Sequence, residues 1–485
     1  MTATSESTVL DSIAKSVREK LEARKALLPF RELLQKRSTA RKPLPFYQTF
    51  LRAKPCIISE IKFKSPAIGL LKEPNLDDAI HLAREYLAGG ASALSILTEE
   101  DHFHGSLSYL KAVREACPTA VILMKDFILE DYQILEGLLA GADGVLLIVA
   151  LLGKEKTEAL MKFAAQLGLG ALVEVHNEAE LKIALELRAP LIGINNRNLK
   201  TLEVSLQTSY QLMPLAQQLD LANATYISES GIKSSADIKG LLKIGFSGFL
   251  IGSHLMTKPQ PGNEIKKLKL FSKTEIKVCG LTRFEDAALA LKLGAWSLGF
   301  IFYSGSKRAV TASQVSEILE NLKRSLPENQ IRAVGVFVNP TLDEIRNVMA
   351  NVPLQGIQLH GNESVAFCQE VKALYPNLMI IKAARLADYT PQQYHDPSIN
   401  FILVDHQTDE EWGGTGQTVD WQKASQLKVP SHQKLILAGG LDSNNAQDAI
   451  FTVQPYALDL SSGLETSPGV KSAEKLNSFF ALFNQ

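Results

Sequence analysis

Short apolar, β-branched runs alternate with helix-length stretches along most of the chain. In "CIISEIKF", "ASALSILTE", "AVILMKDF", "DGVLLIV", "ALVEVHN", "LIGINNRN", "TYISES" and "GFLIGS" the pattern predicts eight strands, the last ending at Ser253. After the lysine-rich stretch from Thr257 to Lys273 the count restarts. "EIKVCG", "SLGFIFY", "RAVGVFV", "GIQLHG", "MIIKAAR", "FILVDH", "KLILAGG" and "ALDLSSG" predict eight more. Strands regularly separated by helix-length segments predict parallel βα units, and eight such units predict a closed barrel. The fold class is α/β: two tandem (β/α)8 TIM barrels, residues 1–256 and 274–485, with residues 257–273 as linker. Each half is expected to retain activity when expressed apart. Ahead of the first strand, Val9, Ile13, Val17 and Leu21 recur every four residues among charges. That spacing predicts an extra N-terminal amphipathic helix, packed on the barrel.

Composition narrows the function classes. Apolar residues make up 46% of the 485, enough for large cores, and 51 Lys+Arg stand against 52 Asp+Glu for a net charge of −1. No global field recruits nucleic acid or an anionic membrane. The longest dense apolar run, "GVLLIVALLG" from Gly144 to Gly153, falls short of the length a bilayer requires. The start, "MTATSES", lacks a basic segment followed by an apolar one, so secretion is not expected. Cys56, Cys117, Cys279 and Cys368 show neither CxxC spacing nor a disulfide framework, which fits a reducing compartment and disfavours zinc. The expectation is a soluble, cytoplasmic, monomeric protein with no metal, cofactor, nucleic-acid partner or membrane partner.

Active sites of this architecture lie at the C-terminal ends of the strands, and side chains alternate along a strand. In "ISEIKFKSP" Glu60, Lys62 and Lys64 share one face, and Ile61 and Phe63 share the other. With the apolar face toward the helices, the charges turn toward the barrel mouth. The same alternation turns Lys125, Glu174, Asn195, Arg197 and Glu229 inward. One such group is ordinarily a solvated strand end, but five strands converging on one rim imply a ligand. Glycines mark anion sites. "SESGI" after the seventh strand places Ser230 and Gly231 at a turn into a helix, and Gly252 and Ser253 end the eighth. The second half repeats the arrangement with Gly439 and Gly440, then Ser462 and Gly463. The loops after strands seven and eight bind phosphate in many barrels, so two phosphate sites are expected.

"EIKFKSP", "LMKDF", "VEVH", "GINNRNL", "SESGI" and "IGSHLM", in this order and spacing, resemble indole-3-glycerol phosphate synthase over residues 9–256. "KVCGLT", "GFIFYSGSKR", "GVFVN", "IQLHG", "LVDH", "WGGTGQTVDW", "LAGGL" and "SSGLETSPGVKS" resemble phosphoribosylanthranilate isomerase over residues 275–485. The order, synthase before isomerase on one chain, is similar to a bifunctional enzyme of tryptophan biosynthesis.

The resemblance implies phosphorylated anthranilate-sugar substrates and particular roles. In the isomerase half Asp405 matches the general acid, Cys279 the general base and Arg308 the group that meets the anthranilate. Lys277, two residues before Cys279 on the same face, is expected to favour its thiolate. His360 lies on the inward face of the fourth strand, where a hydrogen-bonded structural histidine is at least an equal reading, and it is left out of the catalytic set. In the synthase half Lys125 matches the acid, Glu174 the base and Lys62 the partner of the substrate carboxylate. Glu60, Ser65, Asn195, Arg197 and Glu229 match substrate-orienting groups, and Phe103 and Phe127 flank the anthranilate ring. Two other readings stay open: one barrel inactive as a scaffold, or sugar-phosphate isomerases of histidine synthesis.

Overall fold

Parallel strands cannot be joined by a tight turn, so each must be followed by a crossover that returns the chain to the same end of the sheet. In the computed structural model, which describes residues 8–51, 54–219, 223–386, 389–406 and 418–484, this logic runs twice. The first unit's strands are Cys56–Ile61, Ala93–Leu97, Ile122–Lys125, Gly144–Ile148, Gly170–Val175, Leu191–Asn195, Thr225–Glu229 and Gly248–Ile251. They pair in chain order and close when the first meets the eighth, from Cys56↔Gly248 to Ser59↔Ile251. The second unit's strands are Glu275–Val278, Ser297–Ile301, Ala333–Phe337, Gly356–Leu359, Met379–Arg385, Phe401–Asp405, Lys434–Leu437 and Ala457–Leu460. This barrel closes from Glu275↔Ala457 to Val278↔Leu460. Both faces of each strand are covered, so Ile57, Val173 and Ile194 in one barrel and Val334, Ile381 and Leu403 in the other are fully buried.

The N-terminal helix is Val9–Leu27. Thr8 and Asp11 start it with a reciprocal capping box, each side chain accepting the other's backbone N–H. Ile13, Val17 and Leu21 join the core of the first barrel, each worth about 1.5–3 kcal/mol if fully buried. Lys20 pairs with Glu100 at 2.8 Å and Asp101 at 2.6 Å, just beyond the second strand. The helix is thus anchored at the C-terminal ends of the strands.

The opposite end is closed by a short helix, Phe46–Phe50. The Phe46 ring lies on Gly144 and Gly170, the first residues of strands four and five, where a Cβ at Gly144 would stand 2.5 Å from the ring. Only glycine admits the ring this closely.

The stretch from Thr257 to Lys273, expected as a linker, carries the helix Pro261–Lys273. Its Ile265 and Leu268 belong to the first barrel's core, Phe271 is fully buried, and Lys269 Nζ donates to the Gly90 carbonyl at 2.7 Å. The chain divides into compact units between Ser272 and Lys273. Only Thr274 separates this helix from the first strand of the second unit.

Candidate active sites

At the C-terminal end of the first barrel a cavity of about 610 Å³ gathers the inward side chains. Lys125, the last residue of strand three, is clasped by two carboxylates: its Nζ donates to Glu174 Oε2 at 2.8 Å and to Glu229 Oε2 at 2.6 Å. Asn195 Nδ2 donates to Glu174 Oε1 at 3.1 Å, and Lys62 pairs with Glu60 Oε1 at 2.7 Å. Burial opposes the charge on Lys125, but the two carboxylates outweigh it and hold its pKa above the usual lysine range. Glu174 is pushed up by burial yet held far below the carboxylate range by Lys125 and His176. Glu229 goes the other way: burial, with the Glu174 charge adding to it, outweighs Lys125 and raises it to about 7. Two chemically identical carboxylates on one lysine are thereby driven apart, the arrangement that separates an acid from a base.

Phe103 and Phe127 face each other across the mouth, ring centroids 5.8 Å apart. Arg197 lines the cavity, its Nη1 donating to the Leu202 carbonyl at 3.0 Å. Ser230, Gly231, Gly252 and Ser253 complete the rim, and Ser230 and Gly231 both adopt left-handed backbone, φ +65° and +82°. Ser65 lines a smaller neighbouring pocket together with Lys62, Phe103, Phe127 and the helix residues Val9, Leu10 and Ile13. Lys64 departs from expectation. The first strand ends at Ile61, so alternation stops, and Lys64 enters a hairpin with Gly69–Leu70. Its amine donates to the Asp101 carbonyl at 3.2 Å instead of entering the cavity.

The second barrel carries a tighter cavity of about 110 Å³ lined by Cys279, Arg308, Asp405, Gly439, Gly440, Ser462 and Gly463. Cys279 immediately follows the first strand and is buried against Gly299, where any Cβ would stand 2.7 Å from its Sγ. Burial pushes the Cys279 thiol up; Lys277 pulls it down and Asp459 pushes it up again, leaving it above the usual range. Lys277 does favour ionisation, but its Nζ is paired with Asp459 at 2.8 Å, so part of its charge is spent there. Asp405 ends strand six. His360 Nε2 lies 3.5 Å from its Oδ2, and the His360 Nδ1 is 2.7 Å from Gln358 Nε2.

Arg308 is held side-on by Glu465: Nε lies 2.9 Å from Oε1 and Nη2 lies 2.8 Å from Oε2. Lys471 Nζ braces the same carboxylate at 2.8 Å. Gly439 and Gly440 again take left-handed backbone, φ +88° and +57°. Residues 412–417 of the "WGGTGQTVDW" motif lie outside the described residues.

Sequence reasoning missed Asp459, Glu465, Lys471 and His176. Asp459 was within reach, since alternation two residues before Ser461 turns it inward beside Lys277, its register partner. Glu465 carried no local signal, because the arginine it holds is 157 residues away. Among the described residues no group of three His, Cys, Asp or Glu side chains is placed to hold a metal ion, and no helix is long and apolar enough to cross a membrane.

The family model for indole-3-glycerol phosphate synthase matches residues 10–268, and that for N-(5'-phosphoribosyl)anthranilate isomerase matches residues 276–481. The "Tryptophan biosynthesis protein TrpCF" of Buchnera aphidicola subsp. Diuraphis noxia is 35% identical over 475 residues, covering 98% of each chain. That of Vibrio parahaemolyticus is 36% identical over 482 residues, covering 98% of this chain and 94% of the relative. Among solved structures, phosphoribosyl anthranilate isomerase from Thermus thermophilus is 35% identical, with a TM-score of 0.39, covering 44% of this chain and 98% of that one. With two family models that follow the two barrels and relatives matched over 94–98% of their length, the chain belongs to the bifunctional indole-3-glycerol phosphate synthase and phosphoribosylanthranilate isomerase proteins of tryptophan biosynthesis.

Proposed function

We propose that the second barrel rearranges N-(5-phosphoribosyl)anthranilate and the first cyclises its product to indole-3-glycerol phosphate, through the following residues. In the rearrangement Asp405 gives a proton to the ribose ring oxygen as its bond to C1 breaks, leaving an iminium ion. Cys279 takes the proton from C2, and the resulting enolamine tautomerises to 1-(2-carboxyphenylamino)-1-deoxyribulose 5-phosphate. Cys279 rests as a thiol with its pKa raised by burial, so it first gives its own proton to solvent, a loss favoured by Lys277 and by the iminium charge, and the thiolate then takes the proton from C2. Arg308 meets the anthranilate carboxylate, and Gly439, Gly440, Ser462 and Gly463 hold the phosphate with backbone N–H groups.

In the first barrel Lys125 donates to the ketone oxygen as the aromatic carbon adds to the carbonyl. Lys62 pairs with the carboxylate that leaves as CO2. Glu174 takes the proton removed when water is lost and the indole forms. Glu60, Asn195, Arg197, Glu229 and Ser65 orient these groups, Phe103 and Phe127 flank the ring, and Ser230, Gly231, Gly252 and Ser253 hold the phosphate. The observation that carries the assignment is the clasp of Lys125 between Glu174 and Glu229 beside the Lys62–Glu60 pair, on the rim where this architecture places its chemistry. We read the protein as a cytoplasmic monomer, consistent with four buried free cysteines.

Assays of both half-reactions on four variants test the roles. Cys279→Ala and Asp405→Asn are expected to lower isomerase turnover by about 10²- to 10⁴-fold with synthase turnover kept. Lys125→Ala and Glu174→Gln are expected to do the reverse. Near-normal isomerase turnover in Cys279→Ala would end its assignment as the base.

A further inference from the structure

A row of charged side chains leads out of the first cavity: Glu229, Lys125, Glu174, His176 and Glu180. His176 follows the fifth strand directly, and Glu180 lies in the first turn of the helix Glu178–Glu186. Glu180 is fixed: its Oε2 accepts the His176 backbone N–H at 2.8 Å, its backbone N–H donates to Asn177 Oδ1 at 3.1 Å, and its Oε1 accepts from Asn177 Nδ2. The imidazole bridges outward from this anchor. Its Nδ1 lies 3.0 Å from Glu180 Oε2, and its Nε2 lies 3.1 Å from Glu174 Oε1, an ion-pair distance without hydrogen-bond alignment. With a carboxylate at each ring nitrogen, only the imidazolium presents a proton to both. Burial opposes that charge, but Glu174 and Glu180 outweigh burial and raise His176 to about 9.

On the far side of Glu174, the Lys125 amine is shared with Glu229. Two carboxylates on one cation titrate as a pair, and their surroundings decide which one keeps the proton. Glu174 has His176 and Asn195 besides Lys125, whereas Glu229 Oε1 is buried with no hydrogen-bond partner among the described residues. We propose that His176 is a positioning residue that breaks this tie: its charge keeps Glu174 ionised as the base and leaves the shared proton on Glu229. The charged groups facing His176 are Glu174 on the strand it follows and Glu180 on the next helix, with Lys125 from strand three and Glu229 from strand seven across Glu174. The inference rests on the reading of Glu174 as the base.

The test is the pH profile of the synthase reaction in the full chain, supplied with the isomerised substrate. In the wild type Glu174 stays ionised whether or not Glu229 carries the proton, so synthase turnover is expected to stay level as pH falls through neutrality, where Glu229 titrates at about 7. Without the cation the two carboxylates on Lys125 compete for the shared proton, and a proton on Glu174 removes the base. In His176→Gln turnover is expected to fall by about twofold or more as pH drops below neutrality. His176→Lys keeps a cation and is expected to keep the level profile, while isomerase turnover stays unchanged in both. A level profile in His176→Gln, or an equal fall in His176→Lys, overturns the proposal. If circular dichroism shows that the variants do not fold, ring-nitrogen shifts of the wild-type chain decide instead. Both His176 nitrogens are expected to be protonated at pH 7.5, and a neutral ring there overturns the bridge. Failure of the underlying reading looks different, because Glu174→Gln would then keep synthase turnover whatever His176 does.

Discussion

Ending the first unit at Met256, where the eighth strand's loop finishes, removes the helix Pro261–Lys273. Ile265 and Leu268 on that helix are fully buried in the first barrel's core, and burying an apolar side chain of this size contributes about 1.5–3 kcal/mol. Together the two amount to about 3–6 kcal/mol, an upper estimate because unfolded chains already bury some of this surface. Whole domains are stable by only about 5–15 kcal/mol. A fragment of residues 1–272 is therefore expected to fold and run the synthase reaction, and one of residues 1–256 to be far less stable at 25 °C. Trp296, Trp412 and Trp421 all lie in the second unit, so far-ultraviolet circular dichroism in a urea titration, not tryptophan fluorescence, is the probe. The reasoning is refuted if the two fragments share a urea midpoint and the shorter one turns over normally.

The remaining expectations use the same separation of probes. Phe46→Ala empties the seat on Gly144 and Gly170 and should destabilise the first unit by about 3–5 kcal/mol, with the fluorescence transition of the second unit unmoved. His176 is raised from 6.5 to about 9, so the stability it adds is whole below pH 6.5 and lost as pH rises through 9. His176→Gln should flatten that part of the first unit's stability curve, and an unchanged curve would contradict the bridge. Glu465→Gln frees Arg308 from its side-on partner; losing one such charge-assisted contact should raise the isomerase KM by about tenfold or more, with turnover less affected.

The strands were legible in the sequence because burial on both faces leaves continuous β-branched runs, and "DGVLLIV" or "FILVDH" can hardly be anything else. Glu60, Lys125, Glu174 and Glu229 were legible because alternation carries across a strand's last residue. The same rule failed at Lys64, where the strand had already ended. In the helix Pro261–Lys273 the apolar positions are interleaved with four lysines, and composition hid the period. The contacts to Glu465 and Glu180 depend on loop conformation. Spacing along the chain does not encode which carboxylate a side chain will meet after such a loop turns.

The lone Thr274 between the last helix of one barrel and the first strand of the next bears on how the two activities can be parted. Fused enzymes are usually cut apart, by proteases or by cloning, in exposed polar stretches that carry few contacts. This junction offers none: a cut a few residues upstream strips packed core from the first barrel, and one a few residues downstream removes the strand that closes the second. Limited proteolysis should nick loops elsewhere before it frees either half. Along the chain only Thr274 parts the last helix of one catalyst from the first strand of the other, and a gene designed to separate them must cut within a residue or two of it.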